Sequence, residues 1–352
     1  MLMLSERQKS FACQQIWQMA STRDDGNIVG VGFGVGLKNG LVDLERPNCL
    51  RLYVKNKRKK TSRAKIRPAF ELSDSIDVSL SGTDRPEFDL HLRRRRIPSV
   101  SIPTDVHQIG ELKGSGGFTK VTGDPSEVIS GAIVRWRQLR TPDQVHWGLI
   151  TVGHGFDPPV DPLGPPDTII VNPFTGNRIR GKRLLQFRPP ISGFDAALIS
   201  VSFDDLRSEE LLRSEDVNSK PLATFAQLSA SNGLGGTAFQ GGSNVPFTVV
   251  GTVEPLDFQG VGTVGRLVHV RSLAENAFVG GTSGCVYAVI SSISRRLLAA
   301  AIQIGADSDT DFRDGYGQCL RDVIAKVAEQ RNQELAINQD RIIGTIDFVD
   351  FF

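Results

Sequence analysis

The stretch "FVGGTSGCVY" (residues 278–287) places three glycines around one serine and ends in residues that favour β-strands. Glycine adopts backbone conformations that other residues avoid, and it lets a neighbouring backbone approach closely. A buried strand does not need that freedom, whereas a sharp loop that presents one hydroxyl does. We therefore treat Ser283 as a candidate nucleophile. A serine nucleophile requires a base and an orienting carboxylate elsewhere in the chain.

From about residue 116, short β-prone segments recur between Gly, Pro, Asp and Asn turns. These segments are "AIVRWRQL", "HWGLITVG", "DTIIVNP", "DAALISVS", "FTVVGTVEP", "LVHVRSL", "GCVYAVI" and "LLAAAIQIG". Many short strands at regular spacing are typical of β-barrels and sandwiches. The segment "GQCLRDVIAKVAEQRNQEL" (residues 317–335) has apolar residues at helical spacing and predicts a C-terminal helix. We expect a mostly β domain over residues 116–335.

The last residues, 336–352, form an apolar tail that ends in "RIIGTIDFVDFF". Its Ile, Val, Thr and Phe content favours an extended strand over a helix. Two placements remain open: the tail adds a strand to a barrel or to the N-terminal module, or it docks in a groove of this chain or of a partner.

The N-terminal residues 1–84 predict a small α+β module. Residues 4–20 have helical spacing, and "NIVGVGFGVGL" and "CLRLYVK" read as strands. The first of these strands does not fit a dinucleotide-binding loop, since the third glycine of GxGxxG is missing in either register. Residues 85–115 contain three prolines and the run "RRRR", and they predict a basic linker.

The basic residues are concentrated near the N-terminus. Residues 1–110 contain 19 Lys and Arg against 12 Asp and Glu, a net charge of +7 in a chain whose total is +2. The cluster Lys57, Arg58, Lys59 and Lys60 attracts either an acidic protein or a nucleic acid, or it is a solvated surface. Aromatic residues are not interleaved with these charges, which weakens the prediction of single-strand binding.

The overall composition describes an ordinary globular protein, with 352 residues, 39% hydrophobic and 23% charged. No apolar run approaches the length of a membrane span, and the first 20 residues lack the apolar core of a secretory signal. The four cysteines are widely spaced without a CxxC pair, which argues against zinc and for reduced thiols. We expect a cytoplasmic protein that needs no metal, no cofactor and no membrane.

Two further residues complete a candidate catalytic set. His154 follows a run of apolar residues in "GLITVGHGFD", and Asp195 precedes small apolar residues in "ISGFDAALISV". The separations are 41 residues from His154 to Asp195 and 88 from Asp195 to Ser283. Each residue alone is a weak signal, but their order and strand context together are more specific.

The three motifs resemble those of the chymotrypsin/trypsin-like serine peptidases. The matching stretches are "TVGH" (151–154), "DAAL" (195–198) and "GTSG" (281–284), in the family's order of His, Asp and Ser. The resemblance implies a double β-barrel with its site between the barrels. It also implies that His154 is the general base, that Asp195 orients it, and that backbone N–H groups of Gly281 and Ser283 form the oxyanion hole.

The chain departs from many family members at Thr282, where they have an aspartate, and in this it is similar to the bacterial-type branch. The resemblance places the substrate pocket at Ala277, Gln303 and Gly305, which carry no fixed charge. Cys285, two residues after Ser283, is expected to pack as a small hydrophobic residue.

These features predict a serine endopeptidase that cleaves protein or peptide substrates through an acyl-enzyme. Two alternatives remain. The first is a catalytically idle binding protein that keeps the protease fold. The second is a protease controlled by an N-terminal module that binds a nucleic acid or another partner.

Overall fold

Strands dominate the described part of the chain. The computed structural model describes residues 6–23, 27–38, 41–43, 45–46, 48–56, 69–72, 100–109, 112–114, 131–156, 167–171, 178–189, 193–212, 218–240, 243–279, 282–291 and 293–350. The helices are α1 (Glu6–Arg23), α2 (Phe203–Ser208), α3 (Phe225–Ala230) and α4 (Leu320–Ala336), with a 3₁₀ turn at Ser308–Thr310.

The strands are β1 (Ile28–Gly34), β2 (Gly36–Lys38), β3 (Leu41–Asp43), β4 (Cys49–Val54), β5 (Ala69–Leu72), β6 (Val100–Gln108), β7 (Leu112–Gly114), β8 (Ala132–Gln138), β9 (Thr141–Thr151), β10 (Asp167–Val171), β11 (Arg178–Phe187), β12 (Ala196–Val201), β13 (Gly235–Gln240), β14 (Ser243–Phe258), β15 (Gly262–Val264), β16 (Leu267–Arg271), β17 (Val286–Ile290), β18 (Leu297–Asp307), β19 (Asp314–Cys319) and β20 (Ile342–Asp350).

Six antiparallel strands close into a barrel. Their order is β13, β17, β18, β19, β16 and β14, and β14 pairs back with β13. Apolar side chains fill the barrel, among them Val249, Val268, Tyr287 and Ala300, none of which is exposed. Closure removes the free edges that an open sheet would present.

Strands from the N-terminal part extend this barrel sheet. β1 pairs antiparallel with β14 on one side and with β4 on the other, and β4 pairs in parallel with β6. A Cβ atom at Gly32 would lie 2.2 Å from the carbonyl oxygen of Thr252, so only glycine fits at this position. The glycine-rich segment is therefore a strand with close backbone neighbours.

A second sheet has the order β10, β11, β12, β9, β8 and β20, all antiparallel. Its core is continuous with that of the barrel, since Leu198 and Phe348 pack in one cluster with Val286 and Ile302. The predicted double barrel stays a prediction, because among the described residues no pairing joins β10 to β20.

The C-terminal helix α4 packs against both sheets. Its buried face is formed by Leu320, Val323, Ile324, Val327 and Leu335. These positions follow the helical spacing that the sequence predicts. Within the described ranges, no helix is long and apolar enough to cross a membrane.

All eight β-prone segments of the sequence are strands. β3, β5, β11, β13, β15 and β19 were not predicted from the sequence, and β6 and β7 lie within residues 85–115, the predicted linker. β6 is a strand because β4 offers it an edge, which the local sequence does not reveal. The domain boundaries themselves stay predictions, and residues 57–68 and 73–99, with both basic runs, lie outside the described part.

The apolar tail forms β20, which pairs with β8 and so adds a strand to the second sheet. Ile346 is 5% exposed, whereas Ile343 in the same strand is 42% exposed. We expect Ile346→Ala to lower the free energy of unfolding by about 2–5 kcal/mol, because it removes buried methyl groups. Urea unfolding measures the loss. The control Ile343→Ala is expected to cost about 1 kcal/mol or less, and equal losses would contradict the burial of this strand.

Candidate active site

His154 and Asp195 form a buried hydrogen-bonded pair. The backbone N–H of His154 donates to Asp195 Oδ1 at 2.7 Å, and His154 Nδ1 lies 2.5 Å from Asp195 Oδ2. A carboxylate only accepts, so Nδ1 carries the proton and Nε2 keeps its lone pair. Within the described residues, no atom hydrogen-bonds His154 Nε2. The histidine is therefore held in the tautomer that acts as a base at Nε2.

The pairing of two adjacent strands brings these residues together. Thr151 at the end of β9 lies opposite Ala197 in β12, so the turn after β9 meets the residue before β12. Gly153 lies in this turn, and a Cβ atom there would lie 2.0 Å from the carbonyl oxygen of Phe187. Only glycine fits, which explains the residue before His154.

A glutamine of the second sheet fixes the turn that carries His154. Gln186 Nε2 donates to the carbonyl oxygens of Gly153, at 2.8 Å, and Phe156, at 2.9 Å. These carbonyls flank His154, so the backbone on both sides of the histidine is held. Sequence analysis did not single out Gln186.

Gln318 of β19 connects Asp195 to the closed barrel. The backbone N–H of Asp195 donates to Gln318 Oε1 at 3.1 Å. Gln318 Nε2 donates to the carbonyl oxygens of Gly193 and Gly265, both at 3.1 Å. The Gln318 side chain is fully buried, so this amide is a rigid link between the two sheets. No local motif in "DGYGQC" marks this role.

Ser283 lies in the loop before β17 and is fully buried. Its Oγ donates to the carbonyl oxygen of Ile304 in β18 at 3.2 Å. Gly284, the next residue, has φ +92°, a conformation that favours glycine and turns the chain into β17. The hydroxyl and the imidazole of His154 are thus not hydrogen-bonded to each other in this structure.

Gln303 of β18 holds the loop on both sides of Ser283. Its Nε2 donates to Thr282 Oγ1 at 2.6 Å, and its Oε1 accepts from Cys285 Sγ at 3.1 Å. Its backbone carbonyl also accepts the N–H of Gly284 at 2.9 Å. Gln303, predicted to line the substrate pocket, therefore supports the serine loop with its side-chain amide.

The two halves of the candidate site lie against one apolar core. Val152, two residues before His154, and Ile304, which accepts from Ser283, belong to the same buried cluster. Of the other predicted residues, Ala277 is buried and its carbonyl accepts from Gln240 Nε2 at 2.7 Å. Gly281, half of the predicted oxyanion hole, lies outside the described residues.

Cys285 is not a nucleophile at neutral pH. Burial raises the pKa of its thiol far above the usual range, so the sulfur stays protonated. It packs in the barrel core, as expected for a small hydrophobic residue.

A second polar cluster, which sequence analysis missed, lies in the same part of the fold. Asp314 of β19 is fully buried, and its Oδ1 lies 3.3 Å from His269 Nε2 while its Oδ2 lies 3.4 Å from His107 Nε2. Arg271 donates to both oxygens of Asp314 through Nε and Nη2. On the other side of the His269 ring, the hydroxyl of Tyr53 lies 3.1 Å from Nδ1.

The chemistry of this cluster fits an ion network better than a metal centre. The ligand atoms of His107, His269 and Asp314 lie within 4.8 Å of one another. However, Arg51 Nη1 lies 3.3 Å from His269 Nδ1, and a guanidinium only donates. The proton of neutral His269 is therefore on Nε2, the nitrogen that a metal would need. Arg271 already neutralises Asp314.

Burial sets the protonation of this network. It lowers the pKa of His269 to about 3, although Asp314 opposes the shift. For Asp314, burial raises the pKa, but the neighbouring histidines and Arg271 hold it well below its usual range. At neutral pH the network consists of a neutral His269 and an ionised Asp314.

We expect the protein to lose stability as the pH falls from about 6.5 towards 3. The unfolded chain binds a proton at residue 269 below its ordinary pKa of 6.5, while the folded protein does not until about 3. Each pH unit in this window then costs about 1.4 kcal/mol through this group. Urea unfolding as a function of pH measures the slope.

In the variant His269→Gln the side chain at position 269 cannot bind a proton. Its free energy of unfolding is therefore expected to vary less with pH in this window. The comparison variant is His146→Gln: partial burial also lowers the pKa of His146, but less than for the fully buried His269, so this variant is expected to flatten the profile less. An equally steep slope in His269→Gln and wild type would contradict the role of His269.

Comparison with known proteins assigns no family: the chain matches no protein-family model and no curated protein sequence. The function is therefore inferred from the geometry of the site. Two features of that geometry are decisive, the His154–Asp195 pair and the supported loop around Ser283.

Proposed function

We propose that the protein is a serine endopeptidase with Ser283 as nucleophile, His154 as general base and Asp195 as the residue that orients the base. The observation that carries the proposal is the buried Asp195 carboxylate, which accepts both the backbone N–H and the Nδ1 proton of His154. This arrangement leaves Nε2 as the basic atom, as general-base catalysis at a serine requires.

The reaction begins with a rotation of the Ser283 side chain. Its Oγ leaves the carbonyl oxygen of Ile304 and hydrogen-bonds His154 Nε2. The hydrogen bond to Ile304 that is lost contributes about 1 kcal/mol net, and the new hydrogen bond to Nε2 offsets this loss. As Oγ attacks the peptide carbonyl, its proton passes to Nε2, and Asp195 stabilises the resulting imidazolium.

The proton then goes from His154 to the leaving amine, and an acyl-enzyme on Ser283 remains. Water, deprotonated by the same Nε2, attacks the acyl carbon; the bond from this carbon to Ser283 Oγ then breaks, Nε2 returns the proton to Oγ, and the second product leaves as a carboxylic acid. The negative oxygen of each tetrahedral intermediate is bound by backbone N–H groups of Ser283 and Gly281. Gln303 keeps the loop fixed while this charge develops, because it bonds on both sides of Ser283.

The architecture supports the proposal. A mostly β chain with a closed six-strand antiparallel barrel is compatible with a trypsin-like fold. Ser283 belongs to the closed barrel, and His154 and Asp195 belong to the second sheet. A substrate cleft between the two sheets would therefore be reached by all three side chains.

The remaining parts of the proposal concern the setting of the enzyme. The four cysteines, Cys13, Cys49, Cys285 and Cys319, are buried, and none of them forms a disulfide. Free thiols fit a reducing compartment, and we place the enzyme in the cytoplasm. The substrate is a protein or peptide, and the basic cluster Lys57 to Lys60 is proposed to attract an acidic partner or a nucleic acid.

A specific observation favours a second candidate, a protease-like protein that binds peptides without cleaving them. Ser283 is buried and its hydroxyl donates to Ile304 and not to His154. If the hydroxyl cannot rotate, the site binds but does not react. Labelling of Ser283 by a fluorophosphonate separates the two candidates, because the reagent requires an activated serine.

We expect Ser283→Ala to abolish both fluorophosphonate labelling and peptide-bond cleavage, with a loss in kcat on the order of 10⁴ to 10⁶. Cleavage is followed on a mixture of unstructured peptides by mass spectrometry. The control is Ser294→Ala, an exposed serine in the turn between β17 and β18, which is expected to keep the activity. More than about a tenth of wild-type activity in Ser283→Ala would contradict the assignment.

We expect Asp195→Asn to lower kcat by about 10⁴ while the protein stays folded. The backbone N–H of His154 selects the amide oxygen at Oδ1, so the amide NH₂ faces Nδ1. Nδ1 must then accept, and the proton moves to Nε2, which can no longer act as a base. The pH dependence of kcat/KM measures the change, and a profile equal to that of the wild type would argue against the orienting role.

A further inference from the structure

The edge of β18 next to Ser283 carries a short strand from another part of the chain. β7 pairs antiparallel with β18, with Gly114 opposite Gly305, Lys113 opposite Ala306 and Leu112 opposite Asp307. β19 also pairs with β18 at Gly305 and Ala306. A strand has only two edges, so β7 lies on the edge opposite β19.

That edge is the one to which Ser283 is attached. β17, which follows the serine loop, covers the same edge from Leu297 to Ile302. Gln303 continues the pairing, because it exchanges backbone hydrogen bonds with Gly284 and Cys285. The next residue, Ile304, accepts the hydrogen bond from Ser283 Oγ. The pairing of β18 with β7 starts at the residue after that, Gly305.

The direction of β7 is that of a peptide leading to the nucleophile. Its register runs from Asp307 at Leu112 to Gly305 at Gly114, so its carboxyl end points towards Ile304 and Ser283. In an extended peptide bound in this way, the peptide bonds that follow the third paired residue lie towards Ser283. Sheet edges bind such peptides through backbone N–H and C=O groups, largely without regard to side chains.

We propose that β7 is an autoinhibitory strand, which occupies the edge of β18 at residues 305–307 where the proposed peptidase would bind the backbone of its substrate. The inference rests on the proposed function in one respect, since the peptide that displaces β7 is taken to be the substrate. The same structure has β7 on the edge and the Ser283 hydroxyl turned to Ile304. Both features are expected of a resting state, in which substrate must displace β7 and the hydroxyl must turn away from Ile304 before the reaction.

The tether of β7 to the core makes this competition effective. Ile109, three residues before Leu112, is 1% exposed, and its backbone N–H donates to the carbonyl oxygen of Val54 at 2.9 Å. A short tether keeps the local concentration of β7 high. Three paired residues form few hydrogen bonds, so an incoming peptide of greater length replaces them.

The test removes the pairing of β7 without altering the serine loop. Proline lacks the backbone N–H, and only alternate residues of an antiparallel strand bond to a given neighbour. The double variant Lys113→Pro/Gly114→Pro therefore removes a bond in either register. The matched control is Leu112→Ala/Lys113→Ala, which changes side chains and keeps every backbone N–H.

Two readouts are independent of catalysis and are made in the Ser283→Ala background. The first is hydrogen exchange at those amides of residues 305–307 that face β7, expected to be at least ten-fold faster in the proline variant, while the amides that face β19 keep their protection. The second is binding of a fluorescent peptide with the sequence of residues 109–116, "IGELKGSG", expected to have an at least ten-fold lower Kd for the proline variant. The alanine control is expected to match the parent in both.

A third readout uses the serine itself. Fluorophosphonate labelling of Ser283 is expected to be at least five-fold faster in the proline variant than in the alanine control. Equal hydrogen exchange and equal peptide binding in the two variants would overturn the inference. If the two binding readouts change but no variant is labelled, the edge is a peptide site and the peptidase proposal fails instead. If the double variant does not fold, the same measurements are made on the two single variants, Lys113→Pro and Gly114→Pro.

Discussion

Asp195 is the residue at which hydrogen bonds join the two sheets of this protein, through its carboxylate to His154 and through its backbone N–H to Gln318. A buried charge is tolerated only when hydrogen bonds replace the water that it loses. His154 supplies two of these bonds, one from its backbone and one from its ring. The backbone of Asp195 is in turn fixed by Gln318 from the closed barrel. Asp195 makes all of these hydrogen bonds only when three features are correctly placed: the turn at Gly153, the pairing of β9 with β12, and strand β19.

Two glutamines on neighbouring strands of the barrel divide the support of the site between them. Gln303 on β18 holds the loop of Ser283, and Gln318 on β19 holds the segment that leads to Asp195. A glutamine side chain donates and accepts hydrogen bonds without carrying a charge. It can therefore be fully buried when its NH₂ and its oxygen both have hydrogen-bond partners. Because both glutamines project from the wall of one closed barrel, the position of Ser283 relative to Asp195 depends on the barrel as a whole. The candidate site is thus supported by hydrogen bonds to the residues that flank Ser283 and to the backbone of Asp195.

The network around Asp314 connects the N-terminal strands to the same barrel. Tyr53 on β4 and His107 on β6 meet His269 and Asp314 from the barrel, although β4 and β6 are several strands away from β16 in the sheet. The sheet therefore curls until its extended part faces the barrel again. Burial keeps His269 neutral, and the neighbouring histidines and Arg271 keep Asp314 ionised, so the contact is specific in geometry and sensitive to acid. It also places β6, and the short β7 after it, beside the edge of β18.

The sequence by itself determined the mostly β character, ten of the strands, helices α1 and α4 and the extended form of the tail, because each depends on side-chain periodicity within about ten residues. It also indicated His154 and Asp195, since each stands at the end of a recognisable strand. Only the tertiary structure decided that Gln186, Gln303 and Gln318 support them and that the Ser283 hydroxyl turns to Ile304. It alone placed β7 on β18 and gathered His107, His269 and Asp314 around one buried charge. These contacts join strands far apart in the chain, and their partners are set by sheet register and closure, which no local stretch of residues encodes.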